Sequence, residues 1–524
     1  MSKKLSLILL LFLLLLNNVK TVKAFYQEPV FFTQDEYFLH TIERGQTVYS
    51  LSVMYNVAEE DIYRLNPESK KVIRAGEFLK IPQKSSSYIF HTIQPQETLY
   101  GLSKKYDVKD EDIIAVNPGL SVETFFKGKI IRIPTNLVTQ HIQAGNGALN
   151  SSDINSLISQ AFSRKEASII KVALLLPFGT IDASVQKAVQ TLMVEYLEGL
   201  LLALREMKKD GIMVDLQVYD TGSSTTEIRS ILDKREMQDV HLIIGGHYDE
   251  HIRMLSRFSR ENDIPYVIPF TSQSNEPLYN PNVYQINTPQ SMLNYKASLA
   301  FIDKYAGDNI IIVSDGSSNK KEFIDILKQD LDDRWIRYKT MTLNSNFFNE
   351  VDTLLSKNQR NVIVPADDSA ETLGKITAPL KSIVDNNPNM YLSLFGYQDW
   401  QKHSANYSDD FFRLNTTFYT VYYSDPISQE MRDFYALFYK WYSRTLENYF
   451  PKFGMLGYDT GMYFIRLINT YGTKFEANIN DSNYKGIQTD FHFERVNNWG
   501  GFINMNMYFV NFNPDYTITK NRIK

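Results

Sequence analysis

An internal repeat constrains this chain more than any other feature. Setting the segment from Tyr37 against the one from Tyr88, an offset of 51, aligns a long series of identical residues. His40, Thr41, Ile42, Thr47, Tyr49, Leu51, Ser52, Tyr55, Val57, Asp61, Ile62, Asn66 and Pro67 recur as His91, Thr92, Ile93, Thr98, Tyr100, Leu102, Ser103, Tyr106, Val108, Asp112, Ile113, Asn117 and Pro118. An accidental pair of helical hairpins cannot hold one register so long, so the chain carries two copies of one unit. After Asn-Pro the second copy gains one residue, and Lys80-Ile81-Pro82 then answers to Arg132-Ile133-Pro134. Each copy reads as strand, helix, helix, strand. His40 to Ile42 is β-prone, Thr47 can cap a helix whose apolar positions Val48, Leu51 and Tyr55 follow the helical period, and Phe78 to Ile81 closes the unit. The second helix starts near Glu59 to Asp61, where acidic side chains suit the positive end of the helix dipole, and Asn66-Pro67 stops it.

The first copy, "HTIERGQTVYSLSVMYNVAEEDIYRLNP" with "RAGEFLKIP", and the second, "HTIQPQETLYGLSKKYDVKDEDIIAVNPGL" with "KGKIIRIP", resemble LysM modules. The resemblance spans residues 38–83 and 88–135. It implies two non-catalytic βααβ modules that bind glycans containing N-acetylglucosamine, such as peptidoglycan. It also implies where a glycan would lie: Gly45, Gln46, Thr47 and Val48 with Asn66, Pro67 and Ile73 in the first module. In the second, the counterparts are Gln96, Glu97, Thr98 and Leu99 with Asn117, Pro118, Gly119 and Leu120. Two positions depart from the family pattern, Gln96 standing where glycine is expected and Gln46 where an acidic residue is usual. Lys84 to Ser87 reads as a flexible spacer, so that wall binding would add over two separate modules.

The N-terminus reads as an address. Lys3 and Lys4 precede an apolar run from Leu7 to Leu16, and Val22 and Ala24 suit a signal-peptidase site, so residues 1–24 form an expected signal peptide and Phe25 the mature start. That run is shorter than the roughly 18 to 20 apolar residues of a membrane span, and no later segment reaches that length. The chain has no cysteine, which leaves no disulfide, no cysteine nucleophile and no lipoprotein acylation site. The expectation is an exported envelope protein that is not a lipoprotein. With a net charge of -5 and no dense basic stretch, nucleic acid is not an expected partner.

Residues 136–168 turn polar and read as an interdomain linker. From Ile169 to the end, apolar β-runs alternate with helical patterns, the form taken by a parallel sheet covered on both faces. Ile170–Leu176, Val214–Tyr219 and Val240–Ile244 open one series, and Ile310–Val313, Asn361–Pro365 and Tyr391–Leu394 a second, which predicts two lobes. The runs "IKVALLLPF", "HLIIGGHYDEHIRMLSRFSRENDIPYVIPFTSQSN" and "NVYQINTPQSM" resemble the type I periplasmic binding fold of branched-chain amino acid binding proteins. The expected class is therefore α/β, with two small βααβ modules followed by a two-lobed doubly wound domain. The resemblance implies a cleft lined by His247, Tyr248, Thr271, Ser272 and Asp315, holding a small polar ligand or meeting a wall-synthesis protein. His247-Tyr248 stands where the family offers a small serine-type group, so free branched-chain amino acids are not expected to bind.

Catalysis is not expected. His247 and His251 share a spacing that raises a metal site, but Tyr248 follows the first histidine where the metalloprotease motif needs glutamate. No Gly-x-Ser-x-Gly elbow occurs, and Leu176-Pro177-Phe178-Gly179 offers no phosphate loop, so neither a cofactor nor a metal is predicted. Paired carboxylates for glycoside cleavage remain an alternative, because such pairs are assembled from distant segments.

Overall fold

The computed structural model describes residues 37–135 and 169–523, apart from residues 86, 122, 181–184, 315, 317, 318 and 483. The expected signal peptide, the linker and Asp315 lie outside the described residues.

Each repeat folds as its pattern dictates. The first runs β1 (Tyr37–Thr41), α1 (Val48–Tyr55), α2 (Glu59–Leu65) and β2 (Phe78–Pro82); the second runs β3 (Tyr88–Thr92), α3 (Leu99–Tyr106), α4 (Asp110–Ala115) and β4 (Ile130–Pro134). The two strands of each unit pair antiparallel, Tyr37 opposite Pro82 and Tyr88 opposite Pro134. The hydroxyl oxygens of Thr47 and Thr98 accept from the backbone N–H of Ser50 and Gly101, both at 3.0 Å, and so start the first helix of each unit. Both second helices begin with three acidic residues and no side-chain cap, leaving the dipole to favour the charges. Leu51, Ile62 and Ile81 seal one small core, and Ile113, Ile131 and Ile133 the other.

The repeats are packed together. The rings of Phe38 and Phe90 lie 5.3 Å apart, and Thr92 Oγ1 donates to the carbonyl of Leu39 at 2.6 Å. The Gln83 amide bonds both the N–H and the C=O of Phe90, at 3.0 and 2.7 Å. In the segment read as a flexible spacer, Ser85 Oγ accepts from the backbone N–H groups of Ser87 and Tyr88 at 3.3 and 3.2 Å. The physical reason is the pair of phenylalanines, which removes more apolar surface from water joined than apart.

The rest of the chain forms two lobes. Lobe one opens with β5 (Ile170–Leu176), α5 (Lys187–Lys209), β6 (Val214–Asp220), α6 (Thr225–Leu232), β7 (Leu242–Gly245), α7 (Asp249–Asn262), β8 (Tyr266–Ile268) and β9 (Val283–Gln285). Lobe two follows with α8 (Gln290–Tyr305), β10 (Asn309–Ser314), α9 (Lys321–Asp333), β11 (Tyr338–Thr342), α10 (Phe347–Leu354), β12 (Asn361–Pro365), α11 (Ala370–Asn386), β13 (Leu392–Gly396), α12 (Ser404–Arg413) and β14 (Thr417–Thr420). The chain returns to lobe one for α13 (Gln429–Tyr442), α14 (Phe453–Tyr471), β15 (Phe493–Arg495) and β16 (Phe502–Asn504), then ends in lobe two with β17 (Tyr508–Phe512) and β18 (Ile518–Arg522).

The strand orders are β15-β16-β9-β8-β7-β5-β6 and β11-β10-β12-β13-β14-β17-β18. The first five strands of each sheet run parallel in the order second, first, third, fourth, fifth, with β16 adding a sixth parallel strand to the first sheet, so the winding reverses beside β5 and beside β10. The chain passes between lobes three times, near residues 286–289, 421–428 and 505–507. The passages are tied to neighbouring chain: Thr288 Oγ1 donates to the Asn504 carbonyl at 2.6 Å, and Thr489 Oγ1 to that of Val421 at 3.0 Å. Helices α5 and α14 cover one face of the first sheet. A Cβ at Gly199 or Gly457 would run into the facing helix's backbone, so glycine sets how closely these helices approach.

Candidate functional site

The loops expected to touch glycan have a common frame. In the first repeat Gln46 Oε1 accepts from the backbone N–H of Glu43 at 2.9 Å and meets His40 Nε2 at 2.6 Å, while the Tyr55 hydroxyl holds His40 Nδ1 at 2.8 Å. In the second, Glu97 takes the place of Gln46, bonding His91 Nε2 at 2.6 Å and the Gln94 N–H at 2.8 Å, with Tyr106 on His91 Nδ1. Burial lowers the pKa of His40 below its ordinary value, only partly opposed by the bond to Gln46. Glu97 is pushed upward by burial, yet the Gln94 N–H and His91 together hold its carboxyl below the usual range. Gln96 has φ 69, the left-handed conformation that the expected glycine adopts freely, whereas Gly45 sits there at φ 80.

The other half of each expected site is differently used. Asn66 Nδ2 donates to the carbonyls of Ile62 and Lys80, both at 2.8 Å, and its Oδ1 accepts from the Lys80 N–H at 2.9 Å. Asn117 repeats this with Ile113 and Arg132. Both side chains therefore buckle the second helix of the repeat to its closing strand. Pro67 opens a short 3-10 turn ending at Lys70, Ile73 and Leu120 flank the repeat cores, and Val48 is buried.

Both repeats dock on the large domain. The loop between β15 and β16 reaches between them: Asn498 O accepts from the Gly119 N–H at 2.6 Å, and Asn498 Nδ2 donates to the Ile130 carbonyl at 3.0 Å. Trp499, 2% exposed, lies against Phe90 and Tyr55, with the Arg132 guanidinium 4.4 Å from its ring. Burial pulls Arg132 down to about 10. At Gly119 an added Cβ would come within 2.6 Å of Arg495 Cδ, so this expected glycan residue lies under the lobe-one loop.

Beside this contact lies a cavity of about 740 Å³ with walls from three bodies. Gly45, Gln46, Thr47 and Tyr49 come from the first repeat; Ser272 to Asn275 from the loop after β8; Met292, Tyr295 and Lys296 from α8. The Arg44 guanidinium sits 5.2 Å over the Tyr295 ring, and Asn275 Nδ2 donates to the Tyr49 hydroxyl at 2.9 Å. Among the described residues, Ser272 is thus the one expected cleft residue that lines this cavity with the expected glycan loop.

The remaining cleft residues stand at the strand ends of lobe one. His247 and Tyr248 follow β7, and the Tyr248 ring stands edge-on to His247 at 4.9 Å and His251 at 5.2 Å. Burial, then the neighbouring His251, lowers the His247 pKa. His251 is fully buried and its Nε2 meets the Ser224 carbonyl at 3.0 Å, so its ring points to α6. Among the described residues no three His, Asp or Glu side chains gather as a metal site would require. Asp249 is the first residue of α7, and Tyr248 before it has the extended backbone of a cap position. Thr271 Oγ1 accepts from the Gln273 N–H at 3.0 Å. Phe270, just before Thr271, stacks on Phe453 at 5.4 Å and meets Tyr196 edge-on at 5.0 Å.

Residues 40–82 and 91–134 match the LysM domain family. Both repeats are LysM domains. A Bacillus subtilis protein named as a sporulation-specific glycosylase, YdhD, is 31% identical over 98 residues, which is 19% of this chain and 22% of that one. The chain thus matches about a fifth of that relative's length. Among solved structures, a branched-chain amino acid transporter protein from Rhodospirillum rubrum has a TM-score of 0.46 at 13% identity. It is covered completely by 67% of this chain. A substrate-binding protein from Desulfitobacterium hafniense in complex with Leu has a TM-score of 0.39 at 12% identity, again over 67% of this chain and 100% of that one. The two lobes are the architecture that the sequence resemblance implied.

The docking of the LysM domains had one overlooked signal. Trp499 sits in the polar run Asn497-Asn498-Trp499-Gly500-Gly501, and an indole in such a loop is exposed apolar surface unless something covers it.

Proposed function

We propose that this chain is an exported, non-catalytic protein of the bacterial cell envelope. Its LysM domains hold peptidoglycan through the loops around Gly45–Val48 and Gln96–Leu99, and its two-lobed domain takes a small polar ligand. The pair of LysM domains carries this reading. Export is supported by the apolar run from Leu7 to Leu16 with Val22 and Ala24 after it, and N-terminal sequencing of the secreted protein should give Phe25 first. The full mature chain should sediment with purified sacculi and be competed off by soluble chitin oligosaccharides. A chain that stays in the supernatant would remove the reading. Release of soluble muropeptides during that incubation would replace it with a glycan hydrolase.

A second reading assigns the large domain to a protein partner among the wall-synthesis enzymes. It is favoured by Tyr248, whose ring lies edge-on to two histidines where a small hydroxyl would suit a carboxylate ligand. A ligand at a hundred times its dissociation constant stabilises the folded state by about 2.7 kcal/mol. A melting shift with an amino acid, sugar or muropeptide therefore supports the receptor reading. No shift across such a library, together with capture of a wall synthase, supports the partner.

A further inference from the structure

We infer that the first LysM domain does not bind glycan alone: the large domain supplies the facing wall, and the cavity between them takes an N-acetylhexosamine chain. This rests on the glycan-binding reading and goes beyond it, because the two repeats become unequal. The volume of about 740 Å³ falls within the roughly 300 to 1,000 Å³ of small-molecule sites. A hexosamine presents an apolar ring face and a rim of hydroxyl and acetamido groups. The cavity offers both kinds of surface, with Tyr295, Met54 and Met292 on the apolar side and Gln46, Gln273 and Asn275 on the polar side.

The approach of the two bodies is close. A Cβ at Gly45 would lie 2.9 Å from Met292 Cα, so the loop backbone meets α8 with no side chain between them. The mouth is tied by Arg44 over Tyr295 and by Asn275 on Tyr49. In the second repeat, Gln96 and Thr98 are exposed, and Gly119 is the residue pressed on lobe one. Only the first loop therefore gains a second wall.

Titration of the full mature chain with tetra-N-acetylchitotetraose tests this. Tyr295→Ala removes a ring that would stack on the sugar and should weaken binding about fivefold to tenfold, while Tyr295→Phe should restore it. Ser291→Trp, which fills the cavity from α8, should weaken it as well. Tyr391→Ala, on an exposed residue of lobe two, serves as the control. If Tyr295→Ala and Ser291→Trp bind as the unaltered chain does, the composite site is overturned and the LysM reading stands. Sedimentation with sacculi but no binding of the tetrasaccharide overturns it equally. Failure to bind either probe removes the LysM reading and this inference together.

Discussion

His40 and His91 occupy equivalent places, each held by a tyrosine hydroxyl on Nδ1 and by the residue before the capping threonine on Nε2. What differs is charge, because Gln46 is neutral where Glu97 is a carboxylate. With no anion on the ring itself, burial prevails and lowers the pKa of His40. Gln46→Glu would bring a carboxylate within hydrogen-bond reach and should raise the His40 pKa by about one unit or more. The variant therefore gains stability over the unaltered chain at pH values where the ring is protonated, in full below the lowered value of the unaltered protein, and the gain fades as pH rises through the raised value. A titration of the His40 ring protons by NMR checks this, and an unmoved pKa would show that the two side chains are not interchangeable there. The sequence marked Gln46 and Gln96 as departures from the family but could not say what they cost. The partner of Gln46 lies six positions away across a turn, and the strain at Gln96, φ 69, belongs to a loop without periodicity.

Polar side chains that bond backbone groups decide how the elements are joined. Asn66 and Asn117 each make three bonds from the second helix of a LysM domain to its closing strand, and alanine leaves those backbone groups without partners. Asn117→Ala, at a fully buried side chain, should cost about 2 to 4 kcal/mol, and Asn66→Ala, where water reaches the bonds to Lys80, clearly less, both read as a lower unfolding midpoint in denaturant. Asp459 on α14 does the same in lobe one, accepting from the Tyr484 hydroxyl at 2.7 Å and from the N–H groups of Ile487, Gln488 and Thr489 at 2.8 to 3.2 Å. Burial nevertheless pushes its carboxyl up to about 6. A folded pKa above the unfolded value means that the folded state holds the proton more tightly, so this group's contribution falls as pH rises. Asp459→Asn turns an amide donor toward N–H donors and should destabilise at every pH. The gap to the unaltered protein should narrow by about 2 kcal/mol between pH 4.5 and 7.5. A gap that widens toward neutral pH would refute the assignment. Strands with long apolar runs were legible in the sequence: β5 and β12 fall where those runs put them. By contrast, β15 and β16 have three residues each, too few for alternation to show, and their pairing with each other and with β9 is set by tertiary packing.

In the whole molecule, the first LysM domain lies across the boundary between the lobes. It touches lobe one through Tyr49 on Asn275 and through Tyr55 on Trp499, and lobe two through Arg44 on Tyr295 and Gly45 beside Met292. Two-lobed domains of this kind open and close about their crossing segments. A module bridging both lobes cannot keep both sets of contacts through such a rotation, so its docking favours one interlobe angle. Coupling of this kind is reciprocal: under the proposed function, the factor by which glycan changes the affinity for a crevice ligand equals the factor by which that ligand changes the affinity for glycan. Trp499 is the place to break it, since its indole is buried among Tyr55, Phe90 and Arg132. Trp499→Ala should cost about 3 to 5 kcal/mol of docking free energy, as truncation of a buried tryptophan does. In hydrogen exchange, residues 43–54 should lose protection together with the facing segments 272–278 and 290–296, while the strands β5 and β12 keep theirs. Loss confined to the LysM domains would mean that the first of them rests on the large domain without bracing its lobes. Loss spreading into β5 and β12 would mean that Trp499 supports the fold itself and that the bridge is not a separable element.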